Sequence, residues 1–155
     1  MSALREKLMY KPKHGYDRLS AAEEREMEGY CADYRKFLDN GKTERDCVDY
    51  TVELAQARGF VPYETGMALQ PGTKVYVNNR GKGIMLAVIG KKPLAEGANI
   101  GAAHTDAPRL DLKPNPLYED AEFAFMKTHY YGGIKKYQWV TIPLELHGVV
   151  ALTDG

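Results

Sequence analysis

Cysteine is scarce in this sequence, with Cys31 and Cys47 alone among 155 residues. Both fall in predicted helices without CxxC spacing, which suits reduced thiols of a cytosolic protein better than a disulfide framework, and both are expected to be buried. Net charge is absent too, because 21 Lys and Arg balance 21 Asp and Glu. That balance excludes a general attraction to nucleic-acid backbones or anionic membranes, and no local basic patch replaces it. Long apolar runs are missing: a membrane span takes roughly 18 to 20 such residues, whereas the most apolar stretch, Gly83 to Gly90, is strand-sized. The basic opening segment lacks the continuous apolar stretch of a secretory signal, so a cytoplasmic protein is expected. Low-complexity runs and repeats of helix-pair or blade length are likewise missing. What is present, 44% hydrophobic and 27% charged residues, is the composition of a globular chain able to bury one core.

Residues 1–19 carry Lys11, Pro12, Lys13, His14 and Gly15 and read as an extended arm, since Pro, Gly and scattered charge deny both helix and strand periodicity. Ser20 with Glu23 three residues on has the spacing of a capping box and predicts a helix to about Leu38. Met27, Tyr30, Tyr34, Phe37 and Leu38 share one face of it, with Tyr30, Tyr34 and Phe37 expected in the core. Thr43 and Asp46 repeat the device for a second helix closed by Gly59. Two short-linked helices of this kind are expected to lie against a common sheet. Residues 61–72 read as connector. Thr73 to Asn78 predicts a strand, Asn79-Arg80-Gly81-Lys82 a hairpin turn, and Gly83 to Gly90 a strand buried on both faces. Ala98 to Ala103 predicts a further apolar strand that ends in His104-Thr105-Asp106. The fold class is therefore α/β with a mixed sheet, where ligands gather outside the carboxyl ends of strands. After Pro116 an aromatic, antiparallel, β-rich unit is expected, including Tyr137 to Leu152. Thr153-Asp154-Gly155 is a turn signal with no partner strand after it.

His104 and Asp106 are the sharpest chemical feature. An imidazole at a strand exit can face a cleft, and a carboxylate two residues on can reach its second nitrogen, fixing the tautomer as metal-binding histidines commonly require. The spacing alone favours a buried His hydrogen-bonded to a neighbouring carboxylate, since so short a motif has many false matches. His129 and His147 lie in the β-rich unit, where His129, beside Tyr130 and Tyr131, could line a neighbour's pocket, and His14 is expected to be solvated. Arg80-Gly81-Lys82-Gly83 lacks the GxxxxGK[ST] spacing of a phosphate loop. No Ser or Cys has a His and acid partner at nucleophile spacing.

Gly101-Ala102-Ala103-His104-Thr105-Asp106-Ala107-Pro108-Arg109-Leu110-Asp111-Leu112-Lys113-Pro114 resembles the first metal motif of the M18 aminopeptidases, the aspartyl aminopeptidase and aminopeptidase I family. Lys42-Thr43-Glu44-Arg45, with Cys47 and Gly59-Phe60, is similar to that family's second helix, and Tyr131-Gly132-Gly133 and Trp139 resemble a stretch that follows its metal motif. The resemblance implies a zinc-exopeptidase catalytic domain interrupted by a β-rich dimerisation domain. It assigns residues 1–19 to an arm, 20–114 to the first part of the catalytic domain and 115–155 to the start of the inserted domain, the N-terminal third of such a protein. It further implies release of N-terminal residues from peptides by hydrolysis with two zinc ions per complete subunit, other divalent metals being alternatives, and homo-oligomers built through the β-rich domain. By position His104 would be a metal ligand and Asp106 the catalytic residue that orients it, with His129 a substrate-binding candidate. The other ligands and the general base lie beyond this segment in that family, so the 155 residues alone are expected to be inactive. Trp139 is followed by Val140-Thr141-Ile142-Pro143, where well-known members carry Asp-Arg-Asp, so their preference for acidic N-terminal residues is not carried over. The alternative reading is a non-catalytic assembly or binding module that keeps the aromatic surface of Tyr130, Tyr131 and Trp139.

Overall fold

The computed structural model describes residues 3–154. The chain divides into two compact units, residues 1–39 and 40–155.

In the first unit the arm is not wholly extended. Helix α1 spans Ala3–Leu8, and a 3-10 turn covers Tyr16–Arg18. Pro12 and the residues around it, 9–14, stay irregular, as its missing amide proton and fixed φ require. Helix α2, Ala21–Asn40, starts where the capping box places it. The Ser20 amide donates to Glu23 Oε2 at 2.8 Å, and the Glu23 amide donates to Ser20 Oγ at 3.3 Å. This bond from the Ser20 backbone holds the Glu23 carboxyl below the ordinary glutamate value. A depressed folded-state pKa contributes stability above the unfolded value and loses it as pH falls through the folded one. The Ser20 amide resonance is therefore expected to move through the acid limb in the native sequence and to stay still in Glu23→Gln; equal movement in both would contradict the bond.

The apolar stripe of α2 does not become core. Tyr30 and Tyr34 are 73% and 53% exposed, because their own unit supplies only a short helix and one turn with which to cover a twenty-residue helix. Cys31 is exposed as well, contrary to expectation, whereas Cys47 is buried. Burial pushes the Cys47 thiol up, and only thiolate attacks. A thiol reagent at neutral pH is expected to label Cys31 in the native protein and Cys47 only after denaturation; equal labelling rates would contradict this packing.

The second unit opens with α3, Glu44–Gln56, started by a complete Thr43–Asp46 capping box. Its apolar stripe packs on a three-stranded sheet, and the core lies between them: Cys47, Val48, Ala55, Val75 and Tyr76 are buried, Val48 fully. The buried Tyr76 hydroxyl accepts from Gln56 Nε2 at 3.0 Å, so burying it leaves no orphaned polar atom. The sheet is mixed. Strand β1, Val61–Pro62, pairs parallel with β2, Lys74–Asn79, which pairs antiparallel with β3, Gly83–Val88. The expected turn at 79–82 is present, with Arg80 and Gly81 at positive φ and the Gly81 amide donating to Asn78 Oδ1 at 2.7 Å.

Three strand expectations are corrected. β3 is an edge strand with α3 over one face only, so Met85 and Val88 are exposed rather than buried on both faces. Residues 98–103 form no strand, and the tail after α4, Lys136–Trp139, is irregular through 152. Each has the apolar pattern of a strand, but none of the described residues lies alongside to accept its backbone hydrogen bonds, and an unpaired strand is not stable.

The antiparallel unit begins earlier than Pro116. Strands β4, Arg109–Asp120, and β5, Phe123–Tyr131, make a long hairpin. Its register shifts between the pairs Leu112–Thr128 and Leu117–Met126, across Pro114 and Pro116, neither of which has an amide to donate to the ladder. Ala121 and Glu122, at φ 48° and 64°, form the two-residue turn.

Candidate metal-binding and peptide-binding site

His104 and Asp106 meet as the spacing suggests, but on an irregular segment rather than at a strand exit, since residues 97–108 carry no strand. His104 Nδ1 lies 2.7 Å from the Asp106 carbonyl oxygen and 3.1 Å from Asp106 Oδ1. Carbonyl and carboxylate oxygens only accept, so Nδ1 must carry the proton and donate. The neutral ring then presents a lone pair on Nε2, and the side chain is 80% exposed. A buried structural histidine is thus not what forms here.

Asp106 is held on its other side. The Tyr131 hydroxyl, at the end of β5, donates to Asp106 Oδ2 at 2.6 Å. That bond, more than any other influence, keeps the Asp106 carboxyl below the ordinary aspartate range, and Asp106 in turn pushes the Tyr131 phenol up. Arg109 sits opposite Tyr131 in the ladder with its guanidinium 4.1 Å from the ring centre. Its Nε donates to Asp111 Oδ1 at 2.7 Å, which raises the Arg109 pKa, and its Nη1 donates to the Ala107 carbonyl at 3.3 Å. Gly132, at φ 75°, lies against Pro108 so closely that a Cβ would come within 3.3 Å of Pro108 Cα. The residues that sequence reasoning left out of the His104–Asp106 site are therefore Tyr131, Arg109 and Gly132; the Tyr-Gly-Gly run is visible in the sequence, but not what its tyrosine reaches.

His129 lies elsewhere. It pairs with Asp111 in the ladder and sets its ring edge-on to Tyr130 at 5.3 Å. It lines a cleft of about 400 Å³ with Leu110, Tyr130, Ile134, Lys136 and Trp139, whose lining includes neither His104 nor Asp106. Lys136 Nζ stands 3.9 Å from the Tyr130 ring centre and makes one wall cationic. His147 is engaged locally, with Nε2 2.9 Å from Glu145 Oε2.

The donor set at His104 fits one ligand of a zinc site: an open Nε2, with Nδ1 fixed by a carboxylate and a carbonyl. Such sites use three or four protein ligands, and among the described residues no group of three or more His, Cys, Asp or Glu could hold a metal ion.

Comparison with known proteins falls on the same segments. The family model described as "Aminopeptidase I zinc metalloprotease (M18)" matches residues 37–155. The probable M18 family aminopeptidase 1 of Clostridium acetobutylicum is 47% identical over 152 residues, covering 96% of this chain and 33% of its own length. The crystal structure of an M18 aminopeptidase from Thermotoga maritima superposes with a TM-score of 0.81 at 42% identity, covering 95% of this chain and 32% of that one. Aminopeptidase I from Borrelia burgdorferi B31 superposes with a TM-score of 0.78 at 40% identity, covering 84% and 32%. The chain spans about a third of the length of these relatives.

Proposed function

The chain belongs to the M18 family of aminopeptidase I zinc metalloproteases, and from that premise we propose that it is the N-terminal portion of a two-zinc aminopeptidase that releases N-terminal residues from peptides. His104 is one zinc ligand through Nε2, and Asp106 fixes its ring. The observation that carries the reading is the direction of the His104 hydrogen bonds: two acceptors on Nδ1 leave Nε2 as the free donor atom. Bound zinc would supply Lewis-acid polarisation of the scissile carbonyl and a water made nucleophilic at neutral pH. The side chains named here then do the holding: Asp106 sets the tautomer, Tyr131 sets Asp106, and the carbonyl of Asp106 keeps the ring from turning.

One ligand does not hold zinc tightly, so the remaining ligands and the general base are placed in sequence beyond residue 155, and the 155 residues alone are inactive. His129 is offered as a substrate-side residue of a subunit contact, supported by its place in a cationic and aromatic cleft. Association through the β4–β5 hairpin is part of the same proposal, supported by Phe123 and Met126, which are 67% and 55% exposed. A cytoplasmic location accords with two cysteines that are both free.

The test uses a polypeptide of the relatives' full length, loaded with zinc or cobalt. It is expected to hydrolyse aminoacyl reporter substrates, to lose activity on chelation and regain it with metal, while the 155-residue chain does neither. Activity that survives exhaustive chelation would overturn the metallopeptidase reading.

A further inference from the structure

We propose that Tyr131 is a positioning residue for the His104 imidazole, acting through the Asp106 carboxylate; the inference rests on the reading of His104 as a metal ligand and deepens it. Asp106 is a short side chain on an irregular segment, free by itself to turn either oxygen toward His104. Two donors divide it: Tyr131 Oη holds Oδ2 at 2.6 Å, and His104 Nδ1 holds Oδ1 at 3.1 Å. The phenol therefore sets the plane in which the carboxylate meets the ring.

Tyr131 is itself held by Arg109, which is held in turn by Asp111. The ladder pairs it with Arg109, the Arg109 guanidinium lies 4.1 Å from its ring centre, and Asp111 Oδ1 holds that guanidinium at 2.7 Å. Arg109 Nη1 also donates to the Ala107 carbonyl, and Gly132 abuts Pro108, so the hairpin grips the segment that carries His104 at the two residues that follow Asp106. The connected side chains run Asp111, Arg109, Tyr131, Asp106, His104. A phenylalanine would keep the stacking with Arg109 and lose only the donor, which makes the hydroxyl separable from the packing.

The test compares Tyr131→Phe with Tyr130→Phe, which removes the hydroxyl next door, in the full-length polypeptide. Zinc affinity is read by competition with a chelator, and the ligand field by the visible spectrum of the cobalt-loaded protein. Loss of an outer-shell partner of a metal-bound His typically costs about 10- to 100-fold in affinity; one step further out, Tyr131→Phe is expected to cost about 3- to 10-fold and to shift the cobalt bands, and Tyr130→Phe to do neither. In an Asp106→Ala background the Tyr131→Phe effect is expected to vanish, because the path to His104 is already cut. An undiminished effect in that background, or unchanged affinity and spectrum in Tyr131→Phe while His104→Ala loses a metal equivalent, overturns the positioning role and leaves His104 a ligand. If His104→Ala keeps every metal equivalent, the ligand reading fails and this inference fails with it.

Discussion

Replacing His104 with Ala in the full-length polypeptide is expected to remove one of two zinc equivalents and to abolish measurable aminopeptidase activity, with the fold intact. The expectation follows from exposure as much as from chemistry. Among the described residues the His104 side chain is 80% exposed and its bonds run to Asp106 alone, so its removal leaves no cavity and no buried orphan within this segment. Exposed positions of this kind change stability by about 0.5 kcal/mol or less. A ligand to the metal is a different matter: losing even an outer-shell partner costs about 10- to 100-fold in affinity or activity, and losing the ligand itself exceeds that. Metal analysis, a reporter assay and thermal unfolding of the metal-free protein separate the two effects. A variant that keeps full zinc content and rate would sink the assignment.

The second large effect is expected at Gly132. At φ 75° it occupies the left-handed region, and a Cβ there would lie 3.3 Å from Pro108 Cα and 3.4 Å from Pro108 Cβ and Cγ. Left-handed backbone costs an L-residue about 1–2 kcal/mol, and Ala would in addition push Pro108 away from the hairpin. Gly133, next along the chain, has open space at its Cβ position. Gly132→Ala in the 155-residue chain is therefore expected to lower the thermal midpoint by about 2 to 4 °C for each kcal/mol lost and to loosen the Tyr131–Asp106 bond, whereas Gly133→Ala changes little. Equal midpoints for the two variants would contradict the close approach.

Some of this was legible in the sequence because it is local. The capping boxes at Ser20 and Thr43 need only four consecutive residues each, and both form. The turn after Asn79 announced itself through Gly81, and β2 and β3 flank it as their patterns implied. The turn at Ala121-Glu122 was not legible, for it places two non-glycine residues at positive φ and carries no glycine or asparagine to mark it. The apolar runs at 98–103 and 144–152 state a capacity to pair, but pairing belongs to whichever backbone lies alongside, and their own neighbours in sequence do not supply one. At the site, the contact between His104 and Asp106 could be read because two residues separate them. The contact between Asp106 and Tyr131 spans 25 positions, and it depends on the register that sets Arg109 against Tyr131.

The most direct measurement is an anomalous difference map at the zinc edge from crystals of the full-length polypeptide. Zinc bonds histidine nitrogen at about 2.0–2.1 Å, so a peak is expected at that distance from His104 Nε2, with Nδ1 still facing Asp106. Zinc peaks that stand away from His104, or one seated on Nδ1, would contradict it.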